Sequence, residues 1–244
     1  MKAVLQRTLH QKLHYLRLPF FQFLRDDTRP VVDRLAFFPC MAGFIMSFGD
    51  LNRYVLRDEP TDDEHQDMVN VHTHEDDHHW PWYLEDFEKL GFATPATPVQ
   101  TLRFLYGEGR LQNRLLAHRL AHLVWSVSPT VRLAVVEAIE ETGNVLFEAT
   151  SRLAASYRAT TGVELRYLGD FHFRRESGHA MHTDHAKLAA IQLDDATRSV
   201  ALARVDQVFG WFRDWTDELL AFALEQIERR ARTPSAAASR LQAS

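Results

Sequence analysis

The sequence predicts an all-α protein, a single bundle of about seven helices, and three observations carry that prediction. Apolar residues recur every three to four positions along nearly the whole chain, the spacing that turns one helical face inward. Glycine and proline are sparse, ten and nine among 244 residues, and most prolines fall between the periodic segments. No pair of alternating segments reads as a hairpin, and no repeat or composition shift marks a second unit. Residues 1–231 therefore read as one helical domain, and 232–244 as a small, polar tail with the composition of disordered chain. Sixteen phenylalanines and five tryptophans, within a hydrophobic content of 45%, supply a generous core.

A first helix is expected over 3–25, where Pro19 is placed to kink or break it. The second runs from 30 to 57, with Asp27 or Thr28 as cap and Pro30 in its first turn. It ends at Arg57-Asp58-Glu59-Pro60. The third spans 61–90, and Gly91 closes it. Within it, Pro81 lacks an N–H and crowds the carbonyl of Asp77, so the helix should kink or end beside the histidines there. After a loop at 92–98, a fourth helix covers 99–126, and Ser128-Pro129 opens a fifth that continues to 160. The turn Thr160-Thr161-Gly162 leads to a sixth helix from 168; 163–167 is the only stretch that tempts an extended reading. A seventh helix spans 195–230.

Composition narrows the function. The net charge is −5 and no basic block stands out, which argues against nucleic acid as the main partner. Cys40 is the sole cysteine, so an internal disulfide or an all-thiolate metal site is excluded and a reducing cytoplasm fits. The first seven residues turn polar too soon for a secretory signal. No apolar run approaches the roughly 18 residues needed to span a bilayer. The expectation is a soluble cytoplasmic protein, without a membrane partner, acting on a small molecule; a homodimer is compatible with the sequence. No phosphate-cradling glycine loop or G-x-S-x-G motif is present.

Nine of the thirteen histidines lie within 65–79 and 172–185. The later window contains His172, Glu176 and His179, spaced H-x3-E-x2-H. At about 100° per residue these three share an arc of about 60° on one helical face. Two imidazoles and a carboxylate on one face are a natural ligand set for Fe, Mn or Zn. The bland alternative is a solvated face flanked by Arg174 and Arg175. The earlier window reads His72-Thr73-His74-Glu75-Asp76-Asp77-His78-His79. On a continuous helix His72, Glu75 and His79 also share about 60°, so two such faces turned together would hold two ions. Glu75 and His79 are favoured here, with His72, Asp76 and His78 as further candidates. The bland alternative, an acidic helix start, accounts for residues 62–67 but not for five histidines between 65 and 79. The string His74-Glu75-Asp76-Asp77-His78 also matches the H-E-x-x-H of zinc proteases, a scheme that leaves the later window without a role.

Two divalent ions need more carboxylate. On the fifth helix the stripe 137/141/144/148 reads Glu, Glu, Asn, Glu and is expected to be wet. The stripe 136/140/143/147 reads Val, Glu, Gly, Phe and places Glu140 among apolar positions. A buried carboxylate is costly unless paired or metal-bound, which makes Glu140 the bridging candidate and Glu141 its alternate. Asp50, in an otherwise apolar helix, is a further candidate, with a Gly-Asp turn as its ordinary explanation. His182 and His185, near Asp184, extend the later cluster as supporting groups. His118 and His122 read as ordinary core-edge histidines. Trp80, Phe147 and Phe171 are expected to wall an apolar substrate pocket.

The segment Leu18-Pro19-Phe20-Phe21-Gln22-Phe23-Leu24 before a long apolar helix resembles the opening of the haem-oxygenase-like, TenA-like fold. The stretch from His79 to Gly91, ending in Leu90-Gly91, is similar to a helix in that fold's non-haem diiron oxidases. His172, Glu176 and His179 resemble the motif on their late core helix, and Glu140 stands 32 residues before His172 where they carry a carboxylate. The likeness covers about residues 15–185. It departs from the family near 30–57, where only Asp50 can supply the usual carboxylate. The resemblance implies a haem-oxygenase-like bundle and an oxidase that binds two Fe2+, with Mn2+ as second candidate, and uses O2 as cosubstrate. It also implies Glu75, His79, Glu140, His172, Glu176 and His179 as ligands. The implied substrate is amino-acid-derived, with N-oxygenation or oxidative C–C cleavage in a biosynthetic pathway. Three rivals remain: a metal-independent TenA-like hydrolase using Cys40, a haem-binding protein using His10 or His14, and a non-catalytic metal-binding bundle.

Overall fold

A computed structural model describes residues 1–177 and 185–232. The expected tail over 233–244 lies outside the described residues. Among the described residues the chain is all-α, with no strand. Its helices are α1 (Lys2–Tyr15), α2 (Pro19–Arg25), α3 (Val31–Arg34), α4 (Ala42–Leu51), α5 (Glu64–Asp76), α6 (Trp80–Lys89), α7 (Pro98–Tyr106), α8 (Leu111–Val124), α9 (Pro129–Thr161), α10 (Asp170–Ser177), α11 (His185–Ala190) and α12 (Asp195–Arg232).

Several expected helices are divided, each for a local reason. Pro19 opens α2 rather than continuing α1. The expected 30–57 helix becomes α3, a 3-10 turn at Phe38–Met41, α4 and a π-turn at Asn52–Leu56. Pro39 sits in the first turn of the 3-10 piece, where its missing N–H costs nothing. The expected 99–126 helix splits into α7 and α8 at Gly107–Arg110. The fifth and seventh match α9 and α12 closely, and residues 163–167 form an irregular segment.

One expectation is corrected outright. The stretch Val31–Leu56 is long and apolar enough, at a mean hydropathy of 1.5, to cross a membrane by composition. Half of that window is buried in the fold. Phe37, Phe38, Met41, Phe44 and Ile45 from it belong to the core. Packing inside the bundle accounts for the buried half.

The long helices α9 and α12 pack on each other, with α1 against both. Helices α5 and α10 lie against α9, so α9 is the wall to which the two histidine windows are brought. The stripe of α9 expected to be wet is mostly covered: Glu137 and Asn144 are buried, and Glu141 pairs with Lys12 of α1. Only Glu148 remains exposed. A 33-residue helix at the centre of a bundle has neighbours on several sides, so its polar stripe meets α1 rather than water.

Three features place the histidine-bearing elements. Arg57 reaches the end of α5, donating to the Thr73 carbonyl at 2.9 Å and to Asp77 at 2.7 Å. A cation at a helix C-terminus satisfies orphan carbonyls and the dipole. Pro81, in the first turn of α6, prevents the two helices from fusing. Gly49 of α4 lets this turn approach: a Cβ there would stand 3.2 Å from the Asp77 carbonyl and 3.6 Å from the Trp80 ring.

On the other side, Asp86 of α6 is fully buried and accepts from the backbone N–H groups of Arg166 at 2.6 Å and Leu168 at 2.9 Å. Burial raises its pKa, while these two bonds favour the charged form. They fix the irregular segment that feeds α10. Gly169 follows, where a Cβ would lie 2.0 Å from the Leu165 carbonyl, so no larger residue fits. Asp86→Ala leaves two backbone donors buried without an acceptor. The expected loss is about 3 kcal/mol of unfolding free energy in urea titration. A loss below about 1 kcal/mol would show that the segment holds itself.

Candidate metal centre

The elements so placed bring five donors together: His72 and Asp76 from α5, His79 from the turn before α6, Glu140 from α9 and His172 from α10. All five are buried. His72 and Asp76 are one helical turn apart, with His72 Nε2 3.2 Å from Asp76 Oδ2. The same nitrogen is 3.3 Å from Glu140 Oε1. Ligand atoms of His72, Asp76 and Glu140 all lie within 4.8 Å of one another, as one ion would require.

A second grouping adjoins the first. His172 Nε2 and His79 Nδ1 are 3.1 Å apart. Two nitrogens each about 2.1 Å from one ion and at right angles to it would stand about 3.0 Å apart. The other oxygen of Asp76, Oδ1, is 4.0 Å from His79 Nδ1. Asp76 therefore reaches from the His72–Glu140 pair toward the His79–His172 pair, the position of a bridging carboxylate. The mixed imidazole and carboxylate set suits Fe, Mn or Zn.

His172 is held in one orientation. Its Nδ1–H donates to the Tyr167 carbonyl at 2.8 Å, which leaves Nε2 as the acceptor aimed at the cluster. Burial pushes its pKa down to about 4, so the ring is neutral at pH 7, the form that ligates metals. Phe147 packs on the ring at 3.9 Å and Tyr167 at 4.7 Å.

The remaining sequence expectations fall out differently. Glu75 is half-buried and outside the group; Asp76 takes the place expected for it. His78 is exposed and pairs with Asp77. Asp50 is exposed, because α4 turns Phe44, Ile45, Phe48 and Gly49 inward. Glu141 faces α1 through Lys12. Glu140 lies in the cluster, although its close partner there is His72 and the bridging geometry belongs to Asp76. The side chain of Glu176 and the residues His179, His182 and Asp184 lie outside the described part, as does the side chain of His185. Sequence reading overlooked Asp86, Tyr167 and Trp82. Asp86 had a signal, since it stands three residues after Tyr83 on the inward face of α6.

The cluster opens on a narrow cavity of about 60 Å3, room for roughly four or five waters. Asp76, His79, Glu140 and His172 supply the carboxylates and imidazoles of its wall, and Phe44, Phe48, Leu146, Phe212 and Trp215 much of the rest, with Tyr167 beside them. Phe147 and Trp80 line it as expected; Trp80, 40% exposed, stands at the solvent side. Phe171 does not line it and is 47% exposed against Trp82.

Replacing His72 or Asp76 by Ala, or Glu140 by Gln, is expected to weaken Co2+ binding at least about tenfold. Glu75→Gln and His78→Ala should leave it within about twofold. Titration of the visible cobalt bands distinguishes the two sets, and equal losses for Glu75→Gln and Asp76→Ala would contradict the assignment. No protein-family model and no curated protein matches this sequence, so the chemistry of the centre is read from its donors and their geometry.

Proposed function

We propose that the protein is a non-haem, O2-dependent oxidase or oxygenase that holds two divalent ions, Fe2+ first and Mn2+ as second candidate. The observation that carries this reading is a largely apolar cavity whose carboxylate and imidazole wall groups all belong to one cluster. Two Fe2+ ions bound there would supply the electrons and the site for O2 activation. The chain's own residues do the rest. His72, Asp76 and Glu140 would hold one position, and His79 and His172 the other, with Asp76 between. The Tyr167 carbonyl keeps the His172 proton on Nδ1 and away from the ions. Phe44, Phe147, Phe212 and Trp215 exclude water, which strengthens every charge interaction inside. The small cavity favours a small substrate; the amino-acid-derived class and the outcome, N-oxygenation or C–C cleavage, rest on the family resemblance. A cytoplasmic setting, and partners limited to small molecules or a second copy, belong to the same proposal.

The rival readings find less support. Cys40 is buried, does not line the cavity, and accepts from Asn113 Nδ2 at 3.4 Å. Burial pushes its thiol pKa up to about 12, so below about pH 11 it stays protonated and a poor nucleophile. His10 and His14 are exposed, 3.2 Å from each other, and neither lines the cavity.

Anaerobic Fe2+ titration is expected to saturate near two ions per chain, and exposure to O2 with substrate to consume the gas. His172→Ala and Glu140→Ala should abolish that uptake. Unchanged uptake in either variant would sink the assignment. Cys40→Ser should leave uptake unaltered, and a thiol-disulfide reagent at pH 8 should label Cys40 only after denaturant is added. Rapid labelling of the folded chain would return the hydrolase reading to contention.

A further inference from the structure

His79 differs from the other described donors in where it sits. His72, Asp76, Glu140 and His172 are on helices, but His79 occupies the turn between α5 and α6, at the N-cap of α6 with no side-chain capping bond. Helical hydrogen bonds do not fix its backbone on both sides, so its ring needs another restraint. Trp82 supplies one. The indole stacks on the His79 imidazole with centroids 4.5 Å apart and planes 22° from parallel. It also meets His172 edge-on at 5.4 Å. Trp82 thus touches both imidazoles of the second grouping and lines none of the cavity.

The indole is itself fixed from outside. The Arg166 guanidinium lies 5.0 Å over its ring and 4.6 Å over that of Phe171, and Arg175 lies 5.8 Å over it. Phe171 abuts it edge-on at 5.1 Å. Arg166 is in turn steered by Glu85 at 3.6 Å, and its backbone is the one bound by Asp86. Cation, indole and imidazole form one stack from the surface to the donors.

We infer that Trp82 is a positioning residue for the His79–His172 metal position: its planar face sets the ring angle of His79, and Arg166 holds that face in register. This rests on the metal reading above. A tryptophan that merely filled space would be replaced with similar effect by any apolar residue of moderate size. A stacking platform requires an aromatic ring, so Phe and Leu should part company.

The test uses the full chain and Co2+ alone. Trp82→Leu should weaken the second Co2+ equivalent about tenfold or more and alter its visible bands, which report ligand geometry. The first equivalent, at His72, Asp76 and Glu140, should shift less than about threefold. Trp82→Phe should keep the parent spectrum and bind within about threefold. Arg166→Met, which leaves the indole in place, should fall between them. Leu and Phe variants with equal affinity and identical spectra would overturn the inference, as would a Leu variant that binds like the parent. His79→Ala is run alongside. If it binds both equivalents normally, the His79–His172 position fails and the positioning role falls with it; if the parent binds no Co2+, the metal centre as a whole fails.

Discussion

Two carboxylates and three imidazoles sit inside an apolar bundle, and the demand that they not be left uncompensated governs the surrounding structure. Desolvating a carboxylate costs several kcal/mol unless a cation or donors replace the lost water. Asp76 and Glu140 meet that demand by sharing His72, which lies within 3.3 Å of an oxygen from each. Divalent cations would neutralise the pair more completely than imidazoles can, and that is the physical case for metal at this point. The demand also explains why the donors come from separate elements. A single short helix cannot surround an ion, so α5, α9 and α10 must converge, and the bundle's topology is what makes them do so.

Convergence depends on holding the less regular pieces. Helix α9 needs little help, since it is long and buried along most of its length. Helix α10 has eight described residues and follows an irregular segment. Asp86 fixes that segment by two backbone bonds, and the segment's Tyr167 carbonyl orients His172. The chain of restraint runs from a carboxylate on α6, through backbone, to an imidazole on α10. On the opposite side Arg57 ends α5 where Asp76 is its last residue, and Gly49 admits the turn that follows. Asp86 and Arg57 do not line the cavity, yet each helps set where a candidate donor stands.

Much of this was legible in the sequence, and the limits have physical causes. Glu140 could be found because it interrupts an apolar stripe in the one helix whose periodicity continues without a break. His172 could be found from its window. The choice between Glu75 and Asp76 could not be made by helical arithmetic, because the arithmetic assumes one helix through His79. With α5 ending at Asp76, the angular offset of His79 is set by a turn, and the i, i+4 pair on the real helix is His72 with Asp76. Pro81 announced a break but not its register. Asp50 was misplaced for a different reason: in an apolar helix that is only partly covered, a lone carboxylate simply takes the exposed side. The wet stripe on α9 was misread because pattern alone does not count how many neighbours a central helix has.

The cavity ties these points to chemistry. Its carboxylates and imidazoles all belong to the cluster, and aromatic and aliphatic groups make up most of the rest, with Tyr167 and Thr142 as the polar exceptions. A bound molecule would therefore find its ionic interactions at the cluster, so a charged end would lie against those residues. The same division protects the donors. Phe147 on one side of His172 and Trp82 on another screen two faces of the ring from water. Access then runs past Trp80, the exposed member of the wall, which sits on the first turn of α6 one residue from His79. Opening that mouth by moving the 77–80 turn would move a donor as well. The break between α5 and α6 thus puts an exposed wall residue, Trp80, and a candidate donor, His79, on one turn, an adjacency that an unbroken helix through residue 90 would set differently.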